Sequence, residues 1–137
     1  SITGLYTVLV EGDDHNEPIS DAARSILDGH VVLSRKLAHS SHYPAIDVLA
    51  SVSRVTTSVT TNDERNLMYE LRRLLAAEAE AKDLIEIGAY VSGTNPMVDR
   101  AVALRDPIRS FLTQRVNDRL DAQRSFALLG ELLAARP

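Results

Sequence analysis

The sequence predicts an α/β segment followed by an all-α one, and three observations carry that prediction. Residues 2–10 and 30–33 are short β-branched runs separated by a helical pattern. Beyond Thr56 the apolar residues recur at spacings of three and four, and no strand pattern returns. Between these regimes lies a threonine-rich connector, Thr56 to Thr61. The division expected is therefore residues 1–58 as the last part of a parallel α/β domain and residues 59–137 as a helical domain.

In chain order, Ile2 to Val10 reads as a strand, and its continuous apolar character suits a sheet buried on both faces. Glu11 to Pro18 ends it with turn residues and four carboxylates. Pro18 to Leu27 is expected as a short helix with Pro18 at its start and Ile19, Ala22, Ala23, Ile26 and Leu27 on one face. Asp28-Gly29 closes it, and His30 to Leu33 is a second strand. Ser34 can cap a helix from Arg35 to His39. This β–α–β rhythm belongs to a parallel sheet.

In the second half, Thr61-Asn62-Asp63-Glu64 supplies caps and early acids for a helix running to about Ala79. Leu67, Met68, Leu71, Leu74 and Leu75 form its apolar face. A loop can interrupt the Ala/Glu run that follows, leaving Lys82 to Ile87 as a shorter helix stopped by Gly88. Pro96 begins a helix to about Leu104, and Asp106-Pro107 another, with Ile108, Phe111, Leu112 and Val116 as its buried stripe. Leu120 or Asp121 begins the last helix, packed through Phe126, Leu129, Leu132 and Leu133.

Composition limits the function. With 137 residues, 45% of them apolar, the chain can hold one domain or two partial ones around a real core. A net charge of −4 disfavours nucleic acid, since phosphate binding needs a basic face. The helical half carries eleven of the fifteen basic residues but also twelve of the nineteen acids, so it forms no basic patch. With no cysteine, disulfides and thiolate metal sites are excluded. His30, His39 and His42 have no ligand-triple spacing and read as turn or core residues. No apolar run approaches the roughly 20 residues that span a bilayer, and there is no signal-peptide pattern.

The stretch that carries chemistry is Tyr43 to Val55, YPAIDVLASVSRV. Tyr43-Pro44 reads as an extended or turn dipeptide, and Ala45, Ile46, Val48, Leu49 and Val52 can anchor it. Arg54 sits among Ser51, Ser53 and Thr56, with no carboxylate nearer in sequence than Asp47. Such a guanidinium is either solvated or held for an anion arriving from elsewhere. The acidic run Glu11 to Glu17 lacks the spacing of a calcium loop and is otherwise a solvated loop.

YPAID and SVSRV, with SITGLYTVLVEGDD before them and GAYVSGTNPMVD after, resemble the C-terminal part of the flagellar export ATPases. These are related to the injectisome secretion ATPases and, more distantly, to the hexamer-forming subunits of rotary ATP synthases. The resemblance runs the length of the chain. It implies the end of a RecA-like parallel-sheet nucleotide-binding domain plus a helical C-terminal domain. It implies that Arg54 reaches across a subunit interface to phosphates held by the neighbour, and that Tyr43 packs on the adenine of its own subunit's nucleotide. Asp13, Asp14 and Glu17 match a loop that faces the central shaft, where they could meet basic residues of a coiled-coil stalk protein.

The glycine-rich phosphate loop G-x-x-x-x-G-K-[ST] and a magnesium-binding aspartate, both required for hydrolysis, are not found. The expectation is a C-terminal fragment, inactive alone and binding no nucleotide tightly. The intact protein would use ATP and Mg2+ in a homo-hexamer to drive flagellar protein export. It would be cytoplasmic and peripheral to the inner membrane at the flagellar base. Its partners would be the stalk protein, export chaperones with flagellar substrates, and the export gate. The alternatives are an injectisome homologue or, for the isolated piece, a non-enzymatic docking module exposing Tyr90 to Pro96. In rotary catalytic subunits an aromatic follows F-L-x-Q and covers the adenine's other side. Here Phe111-Leu112-Thr113-Gln114 is followed by Arg115 and Val116, so base recognition rests mainly on Tyr43 and strict adenine selectivity loosens.

Overall fold

The computed structural model describes residues 2–10 and 18–135. These form α1 (Pro18–Ile26), β1 (Gly29–Leu33), α2 (Arg35–His39), β2 (Ile46–Ser53), α3 (Thr56–Val59), α4 (Asn62–Glu86), α5 (Pro96–Ala103), α6 (Arg105–Leu112) and α7 (Ala122–Ala134). A small α/β part is followed by a helical part, as the sequence predicts.

Three readings of the α/β part are corrected. Residues 2–10 form no strand, and Ile2, Leu5 and Leu9 are almost fully exposed. A strand exists only where a neighbour completes its hydrogen bonds, and the only sheet among the described residues is the β1–β2 pair. That pair is antiparallel, not parallel. The apolar residues expected to bury α1 do not all do so, since Ile26 is exposed.

Register sets the shape of β2. Gly29 and His30 pair with Ser53 and Val52, while Val32 and Leu33 pair with Asp47 and Ile46. Val31 therefore opposes a bulge of four residues, Val48 to Ser51. The Asp47 carboxylate accepts from the Ala50 amide at 2.9 Å. The Ser51 hydroxyl donates to the Asp47 carbonyl at 2.6 Å and accepts from the Val32 amide at 3.0 Å. A Cβ on Gly29 would meet the Val52 carbonyl oxygen at 2.6 Å, so only glycine fits there.

Local capping in the helical part follows the sequence closely. Thr61 and Glu64 form a reciprocal capping box at the start of α4. Asn95 caps α5 with Pro96 in its first turn, and Asp121 caps α7. Asp106 does not cap α6, which starts at Arg105 with Asp106 already in its first turn. The expected interruption near Ala79 is absent. α4 runs unbroken for 25 residues to Glu86, and Gly88, whose φ is +70°, follows just beyond its end. Alanine and glutamate are strong helix formers, and packing along α5 and α7 keeps the helix continuous.

Leu71 and Leu74 of α4, Ala101 and Leu104 on the α5 side, Ile108 of α6, and Leu129 and Leu133 of α7 form one core. Phe111 and Leu112 pack at its margin. Val116, expected in that stripe, is fully exposed because α6 has already ended at Leu112. Arg100 joins the three helices by pairing with Glu70 at 2.5 Å and donating to the Leu133 carbonyl at 2.8 Å. No helix of the described residues is long and apolar enough to cross a membrane.

Candidate functional site

β2 positions both residues singled out from the sequence. Tyr43 precedes it across a cis Tyr43–Pro44 bond and is 56% exposed. The Tyr43 carbonyl accepts from the Gln114 amide at 2.8 Å. The Phe111–Gln114 segment thus ends beside Tyr43, and the fully exposed Val116 lies two residues further on.

Arg54 follows β2 at its other end and is exposed. Its amide donates to the Asp28 carbonyl at 2.7 Å, which fixes the backbone. The guanidinium donates to the carbonyls of Ser25 and Arg24 at 3.2 Å each. These are last-turn carbonyls of α1, which have no partner within the helix. Arg54 is therefore neither simply solvated nor waiting without a partner; it rests on the end of α1. Two of its five N–H donors are engaged in this way.

The bulge absorbs half of β2, so the span between its ends is that of the five residues of β1, roughly 15 Å. Tyr43 and Arg54 are accordingly too far apart to meet on the same group of a ligand. The bulge itself is filled from α4. Arg72 donates through Nη1 to the carbonyls of Val48 at 2.5 Å and Ser51 at 3.2 Å, and through Nη2 to Leu49 at 3.0 Å. Sequence reasoning missed Arg72, because its partners are main-chain atoms more than 20 residues away and no side-chain pattern announces them.

A second feature lies further along α4. An open groove of about 700 Å³ runs between α4, α5 and the Ala89–Asn95 loop. Asp99 braces that loop, accepting from the Tyr90 hydroxyl at 2.9 Å, the Ser92 hydroxyl at 3.2 Å and the Gly93 amide at 2.9 Å. Burial, then the neighbouring Asp99, pushes the Tyr90 hydroxyl above the usual tyrosine range. The sequence pointed to this loop but not to its brace.

Asp13, Asp14 and Glu17 lie outside the described residues. Among the described residues no cluster of His, Asp or Glu could hold a metal ion. His30 reaches the Ala50 carbonyl at 3.2 Å, and His42 is buried. A magnesium ion at this site would need ligands from outside these elements.

Comparison with known proteins adds the lineage. Residues 1–53 match the nucleotide-binding domain of the ATP synthase alpha/beta family, and residues 60–131 match the C-terminal domain of T3SS EscN ATPases. The chain belongs to the flagellar and type III secretion ATPase family. Within that family it is 49% identical to the flagellum-specific ATP synthase of Treponema pallidum, over 100% of this chain and 31% of that protein. Its structure is similar to the assembled ATPase EscN of the enteropathogenic E. coli type III secretion system. The TM-score is 0.92 at 41% identity, covering 98% of this chain and 32% of that one. It is also similar to EscN in complex with its central stalk EscO, with a TM-score of 0.81 at 38% identity over 85% of this chain and 29% of EscN. The chain thus spans about three tenths of the length of the family members it matches.

Proposed function

We propose that this chain is the C-terminal part of a protein-exporting ATPase that hydrolyses ATP as a homo-hexamer. Residues 1–58 would complete its RecA-like domain and residues 59–137 its helical domain. Arg54 acts in trans on phosphates held by a neighbouring subunit, and Tyr43 packs on the adenine of its own. The observation that carries this reading is the placement of two exposed residues at opposite ends of one bulged strand. Strand ends roughly 15 Å apart let the two residues meet different groups, a base at one end and phosphates at the other.

In this mechanism the guanidinium bridges two phosphate oxygens and stabilises charge that develops as the terminal phosphoryl transfers. The phosphate-holding subunit would hold the magnesium, which would supply further neutralisation of phosphate charge. To reach them, Arg54 either turns its three remaining donors outward or releases the carbonyls of Arg24 and Ser25. Tyr43 supplies an aromatic face whose backbone is anchored by Gln114. Aromatic packing tolerates other bases, so selectivity for adenine is modest.

The assembly is cytoplasmic and peripheral to the inner membrane, and it exports flagellar proteins delivered by chaperones to an export gate. Flagellar relatives and the injectisome protein EscN share the resemblance, so an injectisome role is the alternative within the same chemistry. The complex of EscN with its stalk supports a coiled-coil stalk partner, met by Asp13, Asp14 and Glu17. A second reading is favoured by the contacts to α1: Arg54 is only a helix cap, and the chain is a docking module.

Subunit mixing tests the proposal. Arg54→Ala subunits and subunits lacking the phosphate-loop lysine should each be inactive and should regain hydrolysis when mixed. Absence of any recovery in verified mixed hexamers would overturn action in trans.

A further inference from the structure

Arg72 makes an unusual set of contacts. Among the described residues, its hydrogen-bond partners are all main-chain carbonyls: Val48, Leu49 and Ser51. All three belong to the β2 bulge, whose residues have no register pair on β1. Carbonyls left out of a ladder need another donor, and three of them converging on one planar fork suit a guanidinium and not an ammonium.

The fork is also rigidly mounted. Arg72 follows Leu71 and precedes Leu74 by two positions, and both leucines are buried in the helical core. α4 cannot shift at this point without disturbing that core, so the guanidinium reports the position of the helical part to β2. The same helical part grips the strand's entry, where the Gln114 amide meets the Tyr43 carbonyl at 2.8 Å and Arg109 donates to the Ser40 carbonyl at 3.3 Å.

We infer that Arg72 is a positioning residue that fixes the β2 bulge and thereby sets where Arg54, at the strand's end, is presented to a neighbouring subunit. The inference rests on the reading of Arg54 as a group acting in trans. It extends that reading by naming the link through which the helical part controls the site. A bulge of four residues against one bends the strand in front of Arg54, so its shape sets the direction in which that residue leaves the sheet. Three hydrogen bonds from a residue of the helical part hold that shape.

The test measures hydrolysis by the whole assembled ATPase carrying Arg72→Met, Arg54→Ala, or both. A displacement of about 1 Å far from the chemistry can cost on the order of 10²-fold. Arg72→Met is therefore expected to lower kcat by about 10–10²-fold per assembled hexamer. In the Arg54→Ala background, Arg72→Met should change turnover by less than about twofold, because residues acting as a unit are non-additive. Arg72→Lys, which keeps the charge but not the fork, should fall between, and it carries the same test if Arg72→Met does not fold.

Unchanged kcat in Arg72→Met with a lowered melting temperature would make Arg72 a structural residue only and overturn the inference. Multiplicative losses in the double variant would overturn it as well. Full turnover in Arg54→Ala would remove the trans reading itself, and with it anything for Arg72 to position. Loss in Arg54→Ala beside normal Arg72→Met removes the positioning role alone.

Discussion

Two roles compete for Arg54, and their magnitudes separate them. As a cap, the exposed guanidinium makes two hydrogen bonds of 3.2 Å to the end of α1. An exposed cation at a helix C-terminus contributes up to about 1 kcal/mol, a factor of about five in a local equilibrium. As a group contacting transferring phosphates, the same guanidinium contributes about 10³–10⁵ in rate, or roughly 4–7 kcal/mol. Losing the cap cannot produce a thousandfold fall in turnover. Lysine sharpens the distinction, because an ammonium can still donate to the Ser25 carbonyl but cannot bridge two phosphate oxygens. In the whole ATPase, Arg54→Lys is expected to melt within a few degrees of the parent and to lose turnover by about 10³-fold, nearly as much as Arg54→Ala. Nucleotide affinity should change much less, since base and phosphates are held by the other subunit. Steady-state hydrolysis and thermal unfolding on the same preparations provide both readouts. Turnover within tenfold of the parent for Arg54→Ala would refute the catalytic role and leave Arg54 as a cap. Full activity of Arg54→Lys beside a defective Arg54→Ala would show that a point charge suffices and would refute the need for a bridging guanidinium.

Other outcomes follow from the same structure. Leu74, fully buried, should cost about 2–5 kcal/mol of unfolding free energy on change to Ala, read by urea denaturation, whereas exposed Val59→Ala should stay within about 0.5 kcal/mol. The Tyr90 hydroxyl, held protonated beyond its ordinary range, braces its loop fully below about pH 10 and releases it as pH rises through the raised value. Ultraviolet titration should therefore show one phenol of the parent ionising above the ordinary tyrosine range. In Tyr90→Phe that late-ionising phenol should be missing. Changing Asp13, Asp14 and Glu17 to Asn, Asn and Gln in the whole ATPase should weaken stalk binding in a salt-sensitive way and spare basal hydrolysis. Lost hydrolysis with normal stalk affinity would instead move the loop into the active site.

What the sequence determined by itself is local. Ser34 and Thr61 with Glu64 start helices through partners within three residues and form as read, Pro96 opens its helix as expected, and Asn95 and Asp121 turn out to be caps of the same local kind. The leucine spacing of α4 and α7 likewise named the core. Motifs, too, are contiguous strings, so Tyr43 and Arg54 stood out before any geometry was known. Tertiary structure decided whatever depends on a distant neighbour. An apolar run becomes a strand only if another strand completes its ladder, and residues 2–10 have none among the described residues. Register placed a four-residue bulge in β2 that no local propensity encodes. The carbonyl partners of Arg54 and Arg72 lie more than 20 positions away. Main-chain carbonyls are the same at every residue, so a sequence cannot mark which of them a guanidinium will find. Only packing α4 against the sheet makes Arg72 the clamp on the strand that carries Arg54.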